Sequence, residues 1–143
     1  MDWKAEYGTG IAEIDDHHKT ILGFLNDFEI AASTKQHWNA VQPLIVRTRE
    51  FVRFHFAVEE SLMQIVKYPQ FAAHRSEHRQ ILVQIESLEK GVLRQDLKAE
   101  VLPMMRNWLI GHMIDSDTHF TQYALGRYGD SSNASTPPVT KTA

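Results

Sequence analysis

The stretch FAAHRSEHRQILVQIESL, residues 71–88, places apolar or histidine side chains at helical spacing along its whole length. It contains no glycine and no proline. Within it, His74 and His78 stand four residues apart, so a helix brings both imidazoles to one face, about one turn apart. The repeat predicts an amphipathic helix that ends near Gly91. The histidines occupy its apolar face, where surface residues are not expected.

Three further segments show the same helical repeat. The first begins near His18 and ends in the polar stretch at residues 33–39. The second follows Pro43, which suits the first turn of a helix, and stops before Tyr68–Pro69, because the residue before a proline avoids the α region. The last runs from about residue 97 to about residue 123, and Pro103 marks either its first turns or a local kink.

Four helices joined by short connections, with no convincing strand, predict an all-α protein: an up-down-up-down four-helix bundle. We assign the bundle to residues 1–129. Its first 16 residues are expected to form an irregular N-terminal arm, whose apolar side chains fold back as a cap. Residues 130–143 are polar and rich in Pro, Ser and Thr, and predict a disordered tail.

Composition excludes several classes of function. The chain of 143 residues has no cysteine, so Cys-ligated zinc, iron–sulfur clusters and thiol catalysis are ruled out. A net charge of −3 argues against a nucleic-acid partner. We find no apolar run long enough to span a bilayer and no signal core, so we expect a cytoplasmic protein without membrane insertion. Neither a zincin motif nor a phosphate-binding loop is present.

Each predicted helix carries at least one histidine in its apolar stripe. One such residue alone would be read as a hydrogen-bonded core histidine. Five of them together with Glu59 would need many polar partners in one small core, and metal ions satisfy all of them at once. His55 and Glu59 are four apart and can share an ion, and the number of donors favours two ions over one. The ligand types suit iron, zinc, copper or manganese. The five histidines are His18, His55, His74, His78 and His112.

The fourth helix offers two aspartates as further ligands. Asp115 lies three residues after His112 and shares its face in a regular helix, whereas Asp117 lies five residues after it and turns away. Periodicity therefore favours Asp115. Asp117 points inward only if the helix holds an extra residue there, as in a π-bulge, and such bulges are frequent at functional sites.

Four sequence motifs resemble the hemerythrin family in its short bacterial form. They are IDDHH (14–18), HFAVEESLM (55–63), YPQFAAHRSEH (68–78) and WLIGHMIDSD (108–117). The resemblance extends from about Trp3 to Phe120. It implies Asp117, rather than Asp115, as the second bridging carboxylate.

The resemblance also implies a non-haem di-iron centre with an oxo or hydroxo bridge. One iron would take His74, His78 and His112, and the other His18 and His55, with Glu59 and Asp117 bridging both. The second iron then keeps one open position, at which the family binds dioxygen. The resemblance further implies an apolar oxygen pocket formed by five residues: Ile21, Phe56, Trp108, Leu109 and Met113. Ordinary core packing would explain the apolar character of these positions equally well.

The expected function is reversible O₂ carriage, storage or delivery to an oxygen-using enzyme. One alternative is a di-iron enzyme that reduces peroxide or nitric oxide, or oxidises ferrous iron. A second is an oxygen, redox or nitric oxide sensor, which would need a separate signalling partner. A structural bundle that holds zinc is the third.

Some polar residues are expected to lie outside the centre. His17 stands where the family pattern has Gln, and we expect it at the helix boundary or in solvent, with a role beside the metal as the alternative. His119 should be exposed if Asp117 turns inward, and His37 should lie in a loop. Surface charge is the first interpretation of Glu60 and Glu77, contact with a ligand the second. Helix caps are predicted at Asp15 and Asp16.

Overall fold

The computed structural model describes residues 2–34, 38–91 and 101–126. It contains a 3-10 helix, Ala5–Tyr7, and the helices α1 (Ala12–Ser33), α2 (Trp38–Ile65) and α3 (Phe71–Gly91). The fourth rod of the bundle consists of α4 (Leu102–His112), a π-helical turn (Met113–Asp117) and α5 (Thr118–Ala124). The predicted tail and His37 lie outside the described residues.

The helices form a closed ring of neighbours, in which each packs against the next and α4 returns to α1. No strand occurs in the described ranges. The predicted four-helix bundle is confirmed. No helix in these ranges combines the length and the apolar character needed to cross a membrane.

Two groups of buried apolar side chains fill the bundle. The larger one runs along all four rods and includes Phe28, Ile45, Ile85 and Met105, each fully buried. The smaller one consists of Met63, Tyr68 and Phe120. Phe56 belongs to the larger group and stacks on His78, whereas Phe120 lies edge-on to His74. The polar cluster described below therefore lies between two apolar groups.

The N-terminal arm is shorter than predicted. Helix α1 begins at Ala12, so Asp15 and Asp16 lie inside it, and the residue at the cap position is Ile11. Asp15 instead accepts hydrogen bonds at 2.8 Å from the amide and the hydroxyl of Thr9, which tie the arm to the helix. Asp16 is exposed. The cap prediction for these two aspartates was wrong, although Trp3 and Tyr7 do fold back onto the core.

The ends of α2 also differ in detail from the prediction. The helix begins at Trp38, so the exposed Pro43 lies within it rather than in its first turn. Its end at Ile65 comes three residues before the predicted stop. There Lys67 adopts a left-handed conformation (φ 55°), and the amide of Tyr68 donates to the carbonyl of Met63 at 2.9 Å. This turn closes the helix before the proline is reached.

Candidate metal centre

Seven polar side chains from all four rods of the bundle meet in its interior. All are at least 95% buried, and Glu59 and Asp117 have no exposed surface. Helix α1 supplies one, α2 two, α3 two and the fourth rod two. They are His18, His55, Glu59, His74, His78, His112 and Asp117, the same seven that the sequence analysis selected as candidate ligands.

The π-helical turn decides which aspartate reaches the interior. It spans Met113–Asp117, and the hydroxyl of Thr118 donates to the carbonyl of Met113, five residues earlier, at 3.3 Å. The extra residue in this turn rotates Asp117 inward. Asp115, the choice of simple helical periodicity, is exposed.

The two carboxylates each direct one oxygen to either side of the cluster. On the first side, Oδ1 of Asp117 lies 2.9 Å from Nε2 of His112 and 3.0 Å from Nε2 of His74. Oε1 of Glu59 lies 3.2 Å from Nε2 of His78. On the second side, Oδ2 of Asp117 lies 2.9 Å from His18, and Oε2 of Glu59 lies 3.3 Å from His55, again at Nε2.

These distances define two groups of metal-binding size that share both carboxylates. One holds three histidines, His74, His78 and His112, and the other holds His18 and His55. Within each group the donor atoms lie within 4.8 Å of one another. Metal–ligand bonds of about 2.0–2.2 Å place neighbouring donors about 3 Å apart, close to the separations found here.

Several of the potential metal-donor atoms lack a hydrogen-bond partner in the described structure. Both carboxylate oxygens of Glu59 and Nε2 of His55 are buried without a hydrogen-bond partner there. Buried polar groups are almost always hydrogen-bonded, and a buried carboxylate without a partner is costly. The unsatisfied atoms converge on the same two spaces, so the residues fit a pair of metal ions.

In the metal-free cluster, protons on the histidines take the place of the positive charge that metal ions would supply. Burial opposes charge on both the histidines and the carboxylates. At His55 burial lowers the pKa, but the carboxylates of Asp117 and Glu59 outweigh it and raise the pKa to about 9. At His112 burial also lowers the pKa, but the carboxylates of Asp117, Glu77 and Glu59 outweigh it and raise the pKa to about 10. At Glu59 burial and Asp117 raise the pKa, but the surrounding histidines lower it to about 2. Protons on the histidines thus balance the buried carboxylates.

Metal loading should therefore release protons. At pH 7.5 His55 and His112 are protonated in the metal-free protein, because both pKa values lie above that pH, and a histidine must be neutral to bind metal. We expect each to release a proton on loading, and metal affinity to fall as the pH is lowered. An indicator dye in weakly buffered solution measures the release. Loading that frees no proton, with an affinity independent of pH between 6 and 8, would contradict this electrostatic description.

Two acidic residues contact ligands from outside the cluster. Oε2 of Glu60 lies 2.8 Å from Nδ1 of His78, and Oε1 of Glu77 lies 3.0 Å from Nδ1 of His112. The His112 contact comes first among the causes that lower the pKa of Glu77 to about 2. Surface charge was therefore the wrong interpretation for both, and the alternative, contact with a ligand, is the observed one.

The remaining two histidines also differ from the first expectation. His17 is buried, with 9% of its surface exposed, and its Nδ1 lies 2.9 Å from Nδ1 of His55. Burial lowers the pKa of His17, and His55 lowers it further. His119 turns away from the cluster, as expected with Asp117 inward, but it is half-buried rather than exposed, with Nδ1 2.6 Å from the hydroxyl of Tyr68.

Of the five residues predicted to form an apolar oxygen pocket, four lie in the buried core of the bundle. Ile21, Phe56, Leu109 and Met113 are at most 4% exposed, whereas Trp108 is only half-buried and packs against the outside of this group. The ring of Phe56 stacks on that of His78 with centroids 3.7 Å apart. This stacking covers one face of the His78 ring.

A polar cleft of about 520 Å³ opens beside the cluster on its other side. Its wall includes the ligand His74, together with Tyr68, Glu77, Asp115 and His119. Nothing in the sequence pattern marked this cleft, because its residues come from α3, the loop before it, the π-helical turn and α5. It brings solvent close to the three-histidine side.

Comparison with known proteins identifies the family. A sequence model described as "Hemerythrin HHE cation binding domain" matches residues 9–124, most of the chain. The chain belongs to the hemerythrin family. The resemblance seen in the motifs is thereby confirmed.

Individual relatives agree with this membership. A bacteriohemerythrin from Methylococcus capsulatus is 30% identical over 116 residues, which cover 79% of this chain and 88% of the relative. A bacteriohemerythrin from Stenotrophomonas maltophilia is 28% identical over 131 residues, 85% of either chain. A solved structure titled as wild-type hemerythrin superposes with a TM-score of 0.77 at 27% identity, covering 90% of this chain and 98% of the other.

Proposed function

We propose that this hemerythrin-family protein binds dioxygen reversibly at a non-haem di-iron centre, for oxygen carriage, storage or delivery. The observation that carries the proposal is the unequal division of the histidines around two shared carboxylates. Membership of the hemerythrin family, rather than ligand chemistry, supports iron over zinc, since imidazole and carboxylate suit both.

The seven clustered side chains would hold the two ions in unequal sites. His74, His78 and His112 with one oxygen from each carboxylate give five donors, whereas His18 and His55 with the other two oxygens give four. An oxo or hydroxo bridge would add one ligand to each site. The first side would then offer six ligands and the second five, which would leave room for dioxygen on the second side. Iron held there would supply the electrons for reversible O₂ capture.

The surrounding residues would hold the ligands and limit the access of water. Glu60 would accept a hydrogen bond from Nδ1 of His78, and the carboxylate of Glu77 lies 3.0 Å from Nδ1 of His112. Both contacts would direct Nε2 of the ring to the centre. Ile21, Leu109 and Met113 contribute to the buried apolar packing. A dry site protects a captured oxygen from proton-driven loss, which is the requirement that separates a carrier from an oxidase.

One observation favours a di-iron enzyme as the second candidate. Reduction of peroxide or nitric oxide needs protons, and the polar cleft brings the hydrogen-bonded pair of Tyr68 and His119 to the wall that contains His74. A proton route of this kind would serve turnover rather than carriage. The cleft lies beside the three-histidine group, however, whereas the four-donor group has the open position.

Absorption spectra of the iron-loaded protein test the proposal. They are recorded after anaerobic reduction, after air is admitted, and after the oxygen is removed again. We expect a colourless reduced form, a distinct oxygenated spectrum in air, and recovery of the reduced form on deoxygenation. A direct change to a ferric spectrum, without an oxygenated form, would favour the enzyme or a redox sensor. Absence of any iron spectrum would favour the zinc-holding bundle.

A further inference from the structure

The Nδ1 atoms of the ligand histidines, which face away from the cluster, have different partners on its two sides. On the three-histidine side, Nδ1 of His78 and Nδ1 of His112 face the carboxylates of Glu60 and Glu77 at 2.8 Å and 3.0 Å. A carboxylate in this position raises the basicity of the imidazole that it contacts. Two of the three ligand histidines on that side therefore have an anionic partner.

The two-histidine side has no such carboxylate among the described residues. Nδ1 of His55 faces Nδ1 of His17 at 2.9 Å, and Nδ1 of His18 is buried without a hydrogen-bond partner in the described ranges. On this side the partner of His55 is His17, which makes a polar contact but carries no carboxylate.

The geometry fixes which nitrogen of each ring carries the proton. Nε2 of His55 faces Glu59 and Asp117 at 3.3 Å and 3.8 Å, so it is the nitrogen that would bind metal and must be unprotonated. A neutral His55 then carries its proton on Nδ1, and this N–H donates a hydrogen bond to Nδ1 of His17. His17, as the acceptor at Nδ1, carries its own proton on Nε2.

The ring of His17 is itself held in place. It lies edge-on to Phe51 with centroids 5.7 Å apart, and tilted against Phe54 at 5.3 Å. Helix α1 positions it directly before the ligand His18, so one turn of one helix supplies both a ligand and the partner of a second ligand. His17 can therefore orient His55 without touching the metal.

We propose that His17 is a positioning residue that holds Nε2 of His55 toward Glu59 and Asp117, and that its side of the cluster is the weaker of the two metal sites. The inference rests on the proposed two-metal centre. A neutral acceptor orients the ring but adds less basicity than a carboxylate, so the two-histidine site should load second and release first.

The test is an anaerobic titration of the metal-free protein with Fe(II) against a competing chelator, with wild type, H17L, H17Q and T20L compared. Leu fills space at position 17 without a polar group, whereas the amide oxygen of Gln accepts from Nδ1 of His55. Thr20→Leu is the control, because it introduces the same side chain at an exposed position of the same helix, three residues after His17. Thermal unfolding of each metal-free variant reports folding separately.

We expect two Fe(II) per wild-type chain in two unequal steps. H17L should weaken only the second step, by about 10- to 100-fold, the effect usual for a lost partner of a ligand histidine. H17Q should recover it to within about threefold, and T20L should leave both steps unchanged. If H17L does not fold, H17M replaces it, because its side chain fills space without a nitrogen or oxygen atom to accept from His55.

Three results would overturn the proposal. H17L or H17M could leave both steps unchanged, weaken the tighter step, or show a loss that H17Q does not restore. In each of these cases the wild type still binds two ions, so the proposed centre stands. A wild type that binds fewer than two Fe(II) would instead remove the two-metal centre and this inference together.

Discussion

Asp117→Asn is expected to destroy the two-metal centre while leaving the bundle folded. One oxygen of Asp117 lies 2.9 Å from His112 and the other 2.9 Å from His18, so this single side chain links both donor groups. The loss of a partner outside a metal site typically costs 10–100-fold in affinity, and loss of a bridging ligand should cost more, at least about 100-fold. We expect bound iron, measured by elemental analysis after desalting, to fall from two per chain to one or fewer.

Asp115→Asn is the matched control. It makes the same chemical change two residues earlier in the same π-helical turn, at an exposed position. It should keep two irons per chain and the wild-type spectrum. A variant D117N that retains both irons, or a variant D115N that loses them, would refute the assignment of the second bridging carboxylate.

Metal removal is expected to produce the second large effect, a marked drop in thermal stability. Metal that binds only the folded chain at about 1,000 times its Kd contributes about 4 kcal/mol to the free energy of unfolding. For a domain of this size that corresponds to roughly 10–15 °C in Tm. The expected Tm of the chelator-stripped protein is lower by that amount, measured by circular dichroism at 222 nm.

The same comparison in D117N separates metal binding from a general effect of the chelator. That variant has no complete two-metal site, so iron should raise its Tm by only a few degrees. Equal Tm values for the loaded and stripped wild-type protein would mean that the cluster does not bind metal tightly in the folded state. The charges of the buried carboxylates would then be balanced only by protons on the surrounding histidines.

The periodicity of apolar residues was sufficient to predict the bundle. Helix α3 carries Ile81, Ile85 and Leu88 at helical spacing, and all three are buried where the pattern placed them. The helix boundaries were less predictable. Ala12, where α1 begins, has no capping side chain before it, and the end of α2 depends on a left-handed Lys67 that no residue preference indicates.

The seven clustered side chains could also be selected from the sequence, but by two different kinds of reasoning. The histidines and Glu59 stand out because polar residues recur on apolar faces. Asp117 does not, because a regular helix turns it away from His112. Only the resemblance to a known family selected it, and the π-helical turn of Met113–Asp117 supplies the physical reason.

The residues around the cluster were the least predictable. Glu60 and Glu77 lie next to the ligand faces of their own helices, and their contacts are with His78 and His112 on other helices. His17 reaches His55 across 38 positions of sequence. Helical spacing describes one helix at a time, so contacts that depend on how two helices pack against each other cannot be read from it.

The most direct test of the two-metal centre is a crystal structure of the iron-loaded protein with anomalous diffraction collected at the iron edge. We expect two anomalous peaks in the interior of the bundle, each in contact with Glu59 and Asp117. One should lie among His74, His78 and His112, and the other beside His18 and His55. A single peak, or two peaks that do not share both carboxylates, would contradict the assignment on which the proposed function depends.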